Sequence, residues 1–213
     1  MDFGNYQSSW LYEVTMRQEI ETTIAFYDEK YAKSTAHLDM QQFYDRFEKY
    51  LPEGASVLDA GCGSGRDSKH FIERGYTVTA FDASETMCKC ASKLTGQEVR
   101  KLTFQEMDYH DCFDGIWACA SLLHVPEDEI KIVLKKMAGA LKKGGIIYAS
   151  WKRGKGERTD LKSNRFFCDM TSSKIEKCFS ESCLKCNEIW ETKDVRNATN
   201  GQIWMNVIAV STL

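Results

Sequence analysis

The 213-residue chain has few prolines, no long apolar run and no excess of basic charge. Its only two prolines, Pro52 and Pro126, stand at the expected boundaries of helical segments, and no flexible linker or low-complexity tract is apparent. No apolar stretch approaches the roughly 20 residues that a spanning helix needs, so we expect no membrane association. With 28 Lys and Arg against 31 Asp and Glu, the chain has no global positive field to attract nucleic acid.

The N-terminus and the cysteines indicate an ordinary reduced protein. The first ten residues, MDFGNYQSSW, are acidic and polar, unlike a secretory signal, so the expected location is the cytoplasm. The nine cysteines are an odd number and cannot all form disulfides, which argues against a complete disulfide framework. We expect them to be thiols that serve as small apolar side chains. A CxxC pair occurs at Cys183 and Cys186, but zinc normally requires a second such pair or two histidines nearby. We therefore predict no metal site.

Short apolar runs alternate with amphipathic segments from about residue 50 onward. Strands are predicted over 56–60, 77–82, 99–104, 113–118 and 146–151, and helices over 65–73, 84–93, 127–141 and 172–182. Two last strands, within CNEIWET and QIWMNVIAV, have no helix between them and should form an antiparallel hairpin. The pattern predicts an α/β fold: a doubly wound, Rossmann-like sheet of seven mostly parallel strands. We expect a single domain over 1–213, with residues 1–50 as a helical cap on a core of residues 51–213.

The stretch VLDAGCGSGRDSKHF, residues 57–71, places three glycines between a predicted strand and a predicted helix. This arrangement holds a nucleotide-like ligand at the carboxyl edge of a parallel sheet, because glycine permits positive φ and a close approach. The spacing is GxGxG, whereas a dinucleotide fingerprint, GxGxxG, has a glycine where this chain has Arg66. No Gly-Lys-Ser/Thr follows, which excludes a P-loop.

Four motifs, in order and correctly spaced, resemble those of class I S-adenosylmethionine-dependent methyltransferases. They are VLDAGCGSG (57–65), VTAFDAS (78–84), FDGIWACASLLHV (113–125) and LKKGGIIYAS (141–150). The combination is most similar to a bacterial branch of small, single-domain enzymes related to the tellurite-resistance methyltransferases. The resemblance covers roughly residues 50 to 210 and implies S-adenosyl-L-methionine as the cofactor, a methyl-transferase activity and the terminal antiparallel hairpin.

Carried onto this sequence, the resemblance implies cofactor contacts along the carboxyl edge of the sheet. Asp59 would organise the glycine loop and approach the methionine ammonium group, which would also meet the Ala118 carbonyl. Asp82 would bind both ribose hydroxyls. The expected cofactor-binding residues are Tyr27, Tyr31, Asp59, Gly61, Cys62, Gly63, Arg66, Asp82, Ala83, Met87, Phe104, Ala118 and Cys119.

Several of these positions have a second, structural interpretation. Arg66 either reaches the cofactor carboxylate or points into solvent. Tyr27 and Tyr31, four residues apart on one predicted helix face, either close over the cofactor or pack in the core. Met87 suits packing as well as a cofactor contact. The adenine amino group is met either by the Phe104 backbone or by the neighbouring Gln105.

The segment WKRGKGERTDLKSNRFF, residues 151–167, follows the fifth predicted strand, where this fold often builds its acceptor pocket. It carries six basic residues with aromatics at each end, and it is either a solvated loop or a wall that attracts an anionic acceptor. The candidate acceptor residues are Lys152, Arg158 and Arg165, with Trp190 and Arg196 from the terminal hairpin. His124 follows the fourth strand and is either a general base or a structural residue.

The resulting hypothesis is a methyltransferase that acts on a small-molecule acceptor, either anionic or with a soft sulfur, selenium or tellurium nucleophile. Two alternatives stay open: a methyltransferase acting on RNA or protein, and a non-catalytic module that binds S-adenosylmethionine. The sequence leaves open the acceptor atom, the use of a general base and the oligomeric state.

Overall fold

The computed structural model describes residues 3–196 and 201–213, with side chains described from residue 14 onward. The helices are α1 (Phe3–Phe26), α2 (Glu29–Thr35), α3 (Gln41–Glu48), α4 (Arg66–Glu73), α5 (Glu85–Thr95), α6 (Ile130–Ala140) and α7 (Ser172–Ser180). The strands are β1 (Ser56–Ala60), β2 (Thr77–Asp82), β3 (Arg100–Lys101), β4 (Phe113–Ala118), β5 (Leu141–Lys152), β6 (Gly156–Thr159), β7 (Phe166–Asp169), β8 (Leu184–Lys193) and β9 (Ile203–Ser211). None of the described helices combines the length and apolar character required to cross a membrane.

Seven strands form one sheet in the order β3-β2-β1-β4-β5-β9-β8. The pairs among β1 to β5 are parallel, whereas β9 runs antiparallel to both of its neighbours. The predicted α/β sheet with a terminal antiparallel hairpin is therefore confirmed. Because parallel strands end at the same edge, the segments that follow β1, β2, β4 and β5 all meet at the carboxyl edge of the sheet.

Helices cover both faces of the sheet. On one face, α3 and α4 pack around Trp117, whose ring stacks on Tyr148 at 4.1 Å between centroids. Phe47 and Phe71 are fully buried against it, and burial of one such side chain stabilises the fold by roughly 1.5–3 kcal/mol. On the other face, α6 and α7 cover the larger apolar cluster. Thus α3, although part of the predicted cap (residues 1–50), packs in the core of the domain. Helices α1 and α2 lie at the carboxyl edge of the sheet.

Two local features differ from the sequence prediction. The basic segment after β5 is not a plain loop: β6 and β7 form a two-stranded hairpin, with Arg158 opposite Phe167. In addition, the helix predicted through Tyr27 is interrupted, because Asp28 begins α2 by accepting a hydrogen bond from the Tyr31 backbone N–H at 2.8 Å. Tyr27 therefore lies in the break between two helices rather than on one helix face with Tyr31.

Candidate functional site

A cavity of about 260 Å³ lies at the carboxyl edge of the sheet, bordered by α1, α2 and the segments that follow β1 to β5. We call its side over β1 to β3 the glycine-loop end, defined by residues 61–64, 82–84 and 102–105. The side over β5 and β9 is the basic end, defined by Tyr27, His124, Lys152, Arg165, Phe167 and Trp204. One cavity thus connects the predicted cofactor site with the predicted acceptor site.

Most of the predicted site residues border this cavity. All the expected cofactor residues do so except Asp59 and Ala118, and so do His124, Lys152, Arg165 and Arg196. Two predicted acceptor residues do not: Arg158 pairs with Asp169 on the neighbouring strand, and the Trp190 ring packs beneath the Arg46 guanidinium. The Arg158 guanidinium nevertheless lies 4.8 Å from the centroid of the Phe167 ring, which borders the cavity. A role of Arg158 and Trp190 in acceptor binding stays a prediction.

Two of the three loop glycines, Gly65 and Gly63, serve different structural purposes. Gly65 begins α4 at φ +86°, and a Cβ there would lie 2.9 Å from the Ala91 Cα, so only glycine lets α4 and α5 approach. Gly63 has φ +54°, and a Cβ there would meet no protein atom within 4 Å. Since Gly63 borders the cavity, its missing side chain leaves space that a ligand can use.

Asp82 closes this end of the site from the last position of β2. Its Oδ2 accepts a hydrogen bond from the Gly63 backbone N–H at 2.8 Å, and its Oδ1 accepts one from the Ser84 N–H at 2.8 Å. Burial raises the pKa of the Asp82 carboxyl group, although both hydrogen bonds oppose that effect. Ser84, not Asp82, caps α5 by accepting from the Met87 N–H, and the Ser84 hydroxyl also donates to the Tyr27 carbonyl oxygen at 3.0 Å.

Arg66 borders the cavity and its guanidinium is held by a neighbouring acid rather than pointing into solvent, while its contact with a cofactor carboxylate stays a prediction. Its Nε and Nη2 donate to the two carboxylate oxygens of Asp67 at 2.7 and 2.9 Å, and Nη1 reaches the Thr35 carbonyl oxygen at 3.4 Å. Asp67 also accepts from the Tyr44 hydroxyl and from the Trp117 indole N–H at 2.9 Å. These donors keep the pKa of the Asp67 carboxyl group low despite complete burial. Sequence reasoning missed Asp67, since an acid in the first turn of a helix needs no special explanation.

Asp59 lies in the core behind the loop rather than on the cavity wall. Its side chain is 1% exposed and accepts a hydrogen bond from the Ser68 hydroxyl at 2.6 Å. Burial, reinforced by the negative charge of Asp67, raises the pKa of Asp59 well above its ordinary range. Its predicted contact with a cofactor ammonium group, like that of the Ala118 carbonyl, stays a prediction.

His124 and Tyr27 form a hydrogen-bonded pair at the basic end. The Nδ1 atom of His124 lies 2.7 Å from the Phe166 carbonyl oxygen, which can only accept, so Nδ1 carries the proton. Burial lowers the pKa of His124 to about 3, so the ring is neutral. Its Nε2 therefore accepts a hydrogen bond from the Tyr27 hydroxyl at 2.5 Å. Arg165 donates to the same Tyr27 oxygen at 3.3 Å.

The geometry of the glycine-loop end fits a nucleoside-type cofactor. Gly63 leaves room beside the backbone, and the Asp82 carboxylate stands next to that space at the end of β2. Met87 and Phe104 supply an apolar border, as an adenine ring requires. These residues fit the group that the motifs imply.

Comparisons with known proteins agree with this geometry. Residues 57–145 match the family model of a methyltransferase domain. The ubiquinone biosynthesis O-methyltransferase of Idiomarina loihiensis is 35% identical over 104 residues, covering 46% of this chain and 42% of that relative. The chain therefore aligns with less than half the length of this curated relative.

Solved structures share the fold over most of the chain. The 1,6-didemethyltoxoflavin-N1-methyltransferase of Burkholderia thailandensis superposes with a TM-score of 0.73 at 20% identity, covering 95% of this chain and 89% of that one. A TehB-like S-adenosylmethionine-dependent methyltransferase from Corynebacterium glutamicum gives 0.66 at 18% identity, covering 86% and 97%. At such identities the likeness is one of fold. Together with the four motifs and the methyltransferase domain matched over residues 57–145, these findings confirm the resemblance of the chain to class I S-adenosylmethionine-dependent methyltransferases.

Proposed function

We propose that this chain transfers the methyl group of S-adenosylmethionine to a small molecule bound at the basic end of the cavity. The observation that carries the proposal is the continuity of one cavity from Gly63 and Asp82 to Lys152 and Phe167. A donor held at one end and an acceptor held at the other would share a single compartment. The matched methyltransferase domain supports the same activity.

The residues of the glycine-loop end would bind and orient the cofactor. Asp82 offers its carboxylate oxygens to the ribose hydroxyls, and Gly63 leaves its backbone open to the ligand. When bound, S-adenosylmethionine supplies a methyl group already activated on a sulfonium sulfur. The remaining contribution of the protein is alignment of the two reactants, which supplies most of the acceleration in such a displacement.

The proposed reaction uses no proton transfer to His124. Its Nδ1–H is held by the Phe166 carbonyl oxygen, and its Nε2 is occupied by the Tyr27 hydroxyl. Burial keeps the pKa of the ring at about 3, so it is a poor base near neutral pH. We assign His124 to the positioning of Tyr27, and we expect an acceptor that reaches the site already ionised or unprotonated.

The same geometry supports a small acceptor over RNA or protein. The cavity is bordered by α1 and α2 as well as by the β6–β7 hairpin, and two of the arginines that border it, Arg66 and Arg196, are paired with acids. No broad positive surface emerges from the overall composition. The relatives differ in their acceptor atoms, oxygen in one name and nitrogen in another, and leave that atom open here.

Cofactor binding is tested by thermal shift with S-adenosylmethionine, S-adenosylhomocysteine and NAD in parallel, because a ligand that binds the native state raises the melting temperature. We expect stabilisation by the first two. Asp82→Ala should weaken the binding of both by roughly tenfold or more, since hydrogen bonds to a charged group contribute about 1.5–3 kcal/mol. The control is Asp108→Ala, which removes an exposed acid outside the cavity. Stabilisation by NAD alone would overturn the proposal.

Turnover is tested separately with a labelled methyl donor and a panel of small oxygen, sulfur and nitrogen acceptors. Transfer to any of them that is lost in Asp82→Ala supports the enzyme. Tight cofactor binding without transfer to any acceptor would favour the non-catalytic module instead. Transfer only to RNA or protein substrates would replace the small-molecule acceptor with a macromolecular one.

A further inference from the structure

Three arginines in and around the cavity are each neutralised by a mostly buried carboxylate. Each guanidinium donates to its partner at 2.5–3.3 Å. The pairs are Arg66–Asp67, Arg158–Asp169 and Arg196–Asp194. Their charges are balanced within the protein, so none of the three leaves a net positive charge for a ligand.

Lys152 differs from these arginines. Its Nζ lies 3.6 Å from the centroid of the Phe167 ring and borders the cavity. Over residues 14–196 and 201–213, no side-chain or backbone acceptor forms a hydrogen bond or ion pair with it. Asp169, whose negative charge acts on Lys152, is already engaged by Arg158. The half-buried ammonium group thus has an aromatic face on one side and the cavity on the other.

Arg165 is a second cation without a carboxylate partner in the described part of the chain. Its Nε donates to the Ser163 hydroxyl at 3.1 Å and its Nη1 to the Tyr27 hydroxyl at 3.3 Å, both neutral groups. Its guanidinium carbon lies 5.0 Å from the same Phe167 ring centroid. Two uncompensated positive charges therefore stand around one aromatic ring at the cavity border.

Two acids act on Lys152 from a distance: Asp169, and Asp160, whose Oδ1 accepts hydrogen bonds from the Ser163 N–H and hydroxyl. Burial lowers the pKa of Lys152 to about 8, and the positive charges of Arg158, Arg165 and Arg196 act in the same direction against the partial compensation from Asp169. His124 is kept neutral by burial and by the nearby cations. Burial likewise raises the pKa of Tyr27, which stays protonated.

We propose that Lys152 anchors an anion subsite at the basic end, which binds the carboxylate of a flat aromatic acceptor, with Arg165 as the second cation. A carboxylate offers two oxygens for an ammonium and a guanidinium group. A flat ring suits a border built from Tyr27, Phe167 and Trp204. The identity of this ligand as the methyl acceptor rests on the proposed function, whereas anion binding itself does not.

The subsite has a built-in pH dependence. An anion beside Nζ stabilises the charged form of Lys152, so its pKa rises on binding and the complex takes up a proton above about pH 8. At one pH unit above that pKa about a tenth of the lysine is protonated, against nine tenths at one unit below. The affinity for a permanent anion should accordingly fall about tenfold between pH 7 and pH 9.

The test is isothermal titration calorimetry of the protein with benzoate, which stays ionised from pH 6.5 to 9.5, and with its neutral analogue benzamide. We expect benzoate to bind at least tenfold more tightly than benzamide at pH 7 and to lose about tenfold by pH 9. Lys152→Met should reduce this preference to the part that Arg165 contributes and remove its pH dependence. Lys152→Arg should retain it and lose the pH dependence, because arginine stays protonated. Lys155→Met, on the exposed part of the same segment, is the matched control.

Equal binding of benzoate and benzamide would overturn the subsite, as would an unchanged preference in Lys152→Met. If phenyl phosphate binds tenfold more tightly than benzoate, the anionic group of the ligand is not a carboxylate. If the benzoate preference is absent but S-adenosylmethionine still binds, the anion subsite is rejected and the proposed function is unaffected. Benzoate binding in a protein that binds no S-adenosylmethionine would reject the proposed function while retaining the subsite.

Discussion

Replacement of Gly63 by alanine separates a ligand contact from a backbone requirement. Gly63 and Gly54 both have positive φ, +54° and +68°, and a Cβ at either position meets no protein atom within 4 Å. In the absence of ligand, the two substitutions should therefore destabilise the protein by similar amounts. Each costs roughly 1–2 kcal/mol for a left-handed alanine, which lowers the melting temperature by about 2–8 °C in a chain of this size.

Of these two glycines only Gly63 borders the cavity, so its new methyl group occupies space assigned to the cofactor. We expect Gly63→Ala to weaken S-adenosylmethionine binding at least tenfold, which corresponds to about 1.4 kcal/mol. Gly54→Ala should bind as the wild type does. Calorimetry gives both dissociation constants, and urea unfolding gives both stabilities. Equal affinities in the two variants would refute the placement of the ligand along the glycine loop.

Three further predictions concern buried titratable groups. Asp67→Asn leaves the Arg66 guanidinium without its counter-charge, and the free energy of unfolding in urea should fall by roughly 3–5 kcal/mol; a loss under about 1 kcal/mol would contradict its role as a buried anchor. Because the folded pKa of Asp59 is raised, stability from this group is complete below the ordinary aspartate range and is lost as the pH rises toward about 8. Asp59→Asn should therefore gain stability relative to the wild type between pH 5 and pH 8.5, and parallel pH profiles would reject this. His124, with a pKa of about 3, should show a neutral imidazole in ¹⁵N NMR spectra at pH 5, whereas a titration midpoint near 6.5 would contradict the assigned hydrogen bonds.

The parts of the fold predicted from sequence are those with strong local signals. Strands β1, β2 and β4 have the predicted bounds, because each is a short apolar run that ends at polar or glycine residues. The ends of these parallel strands must meet at one edge, so the glycine loop and Asp82 were placed together correctly. Physical rules of local sequence and sheet topology were sufficient for this half of the site.

The basic end was harder to predict because its geometry depends on tertiary pairing. β6 and β7 have four residues each and carry charged side chains, so neither shows a readable period. Without the register of that hairpin, the side on which Arg158 lies is undetermined, and the same holds for Trp190 on β8. The break at Asp28 interrupts an otherwise helical sequence pattern. The pattern alone does not predict it, because the position of Tyr27 depends on its hydrogen bond to His124.

The hydroxyl of Ser84 joins the first two helices to the segment that follows Asp82. Tyr27, Tyr31 and Thr35 all border the cavity, so any local opening of residues 14–36 dismantles part of the ligand's surroundings. A ligand at 100 times its dissociation constant raises the free energy of such an opening by about 2.7 kcal/mol. Amide hydrogen exchange in this N-terminal segment should slow roughly a hundredfold on saturation. The protein thus carries its own reporter of occupancy, which responds to any ligand of the cavity before the acceptor or the reaction is known.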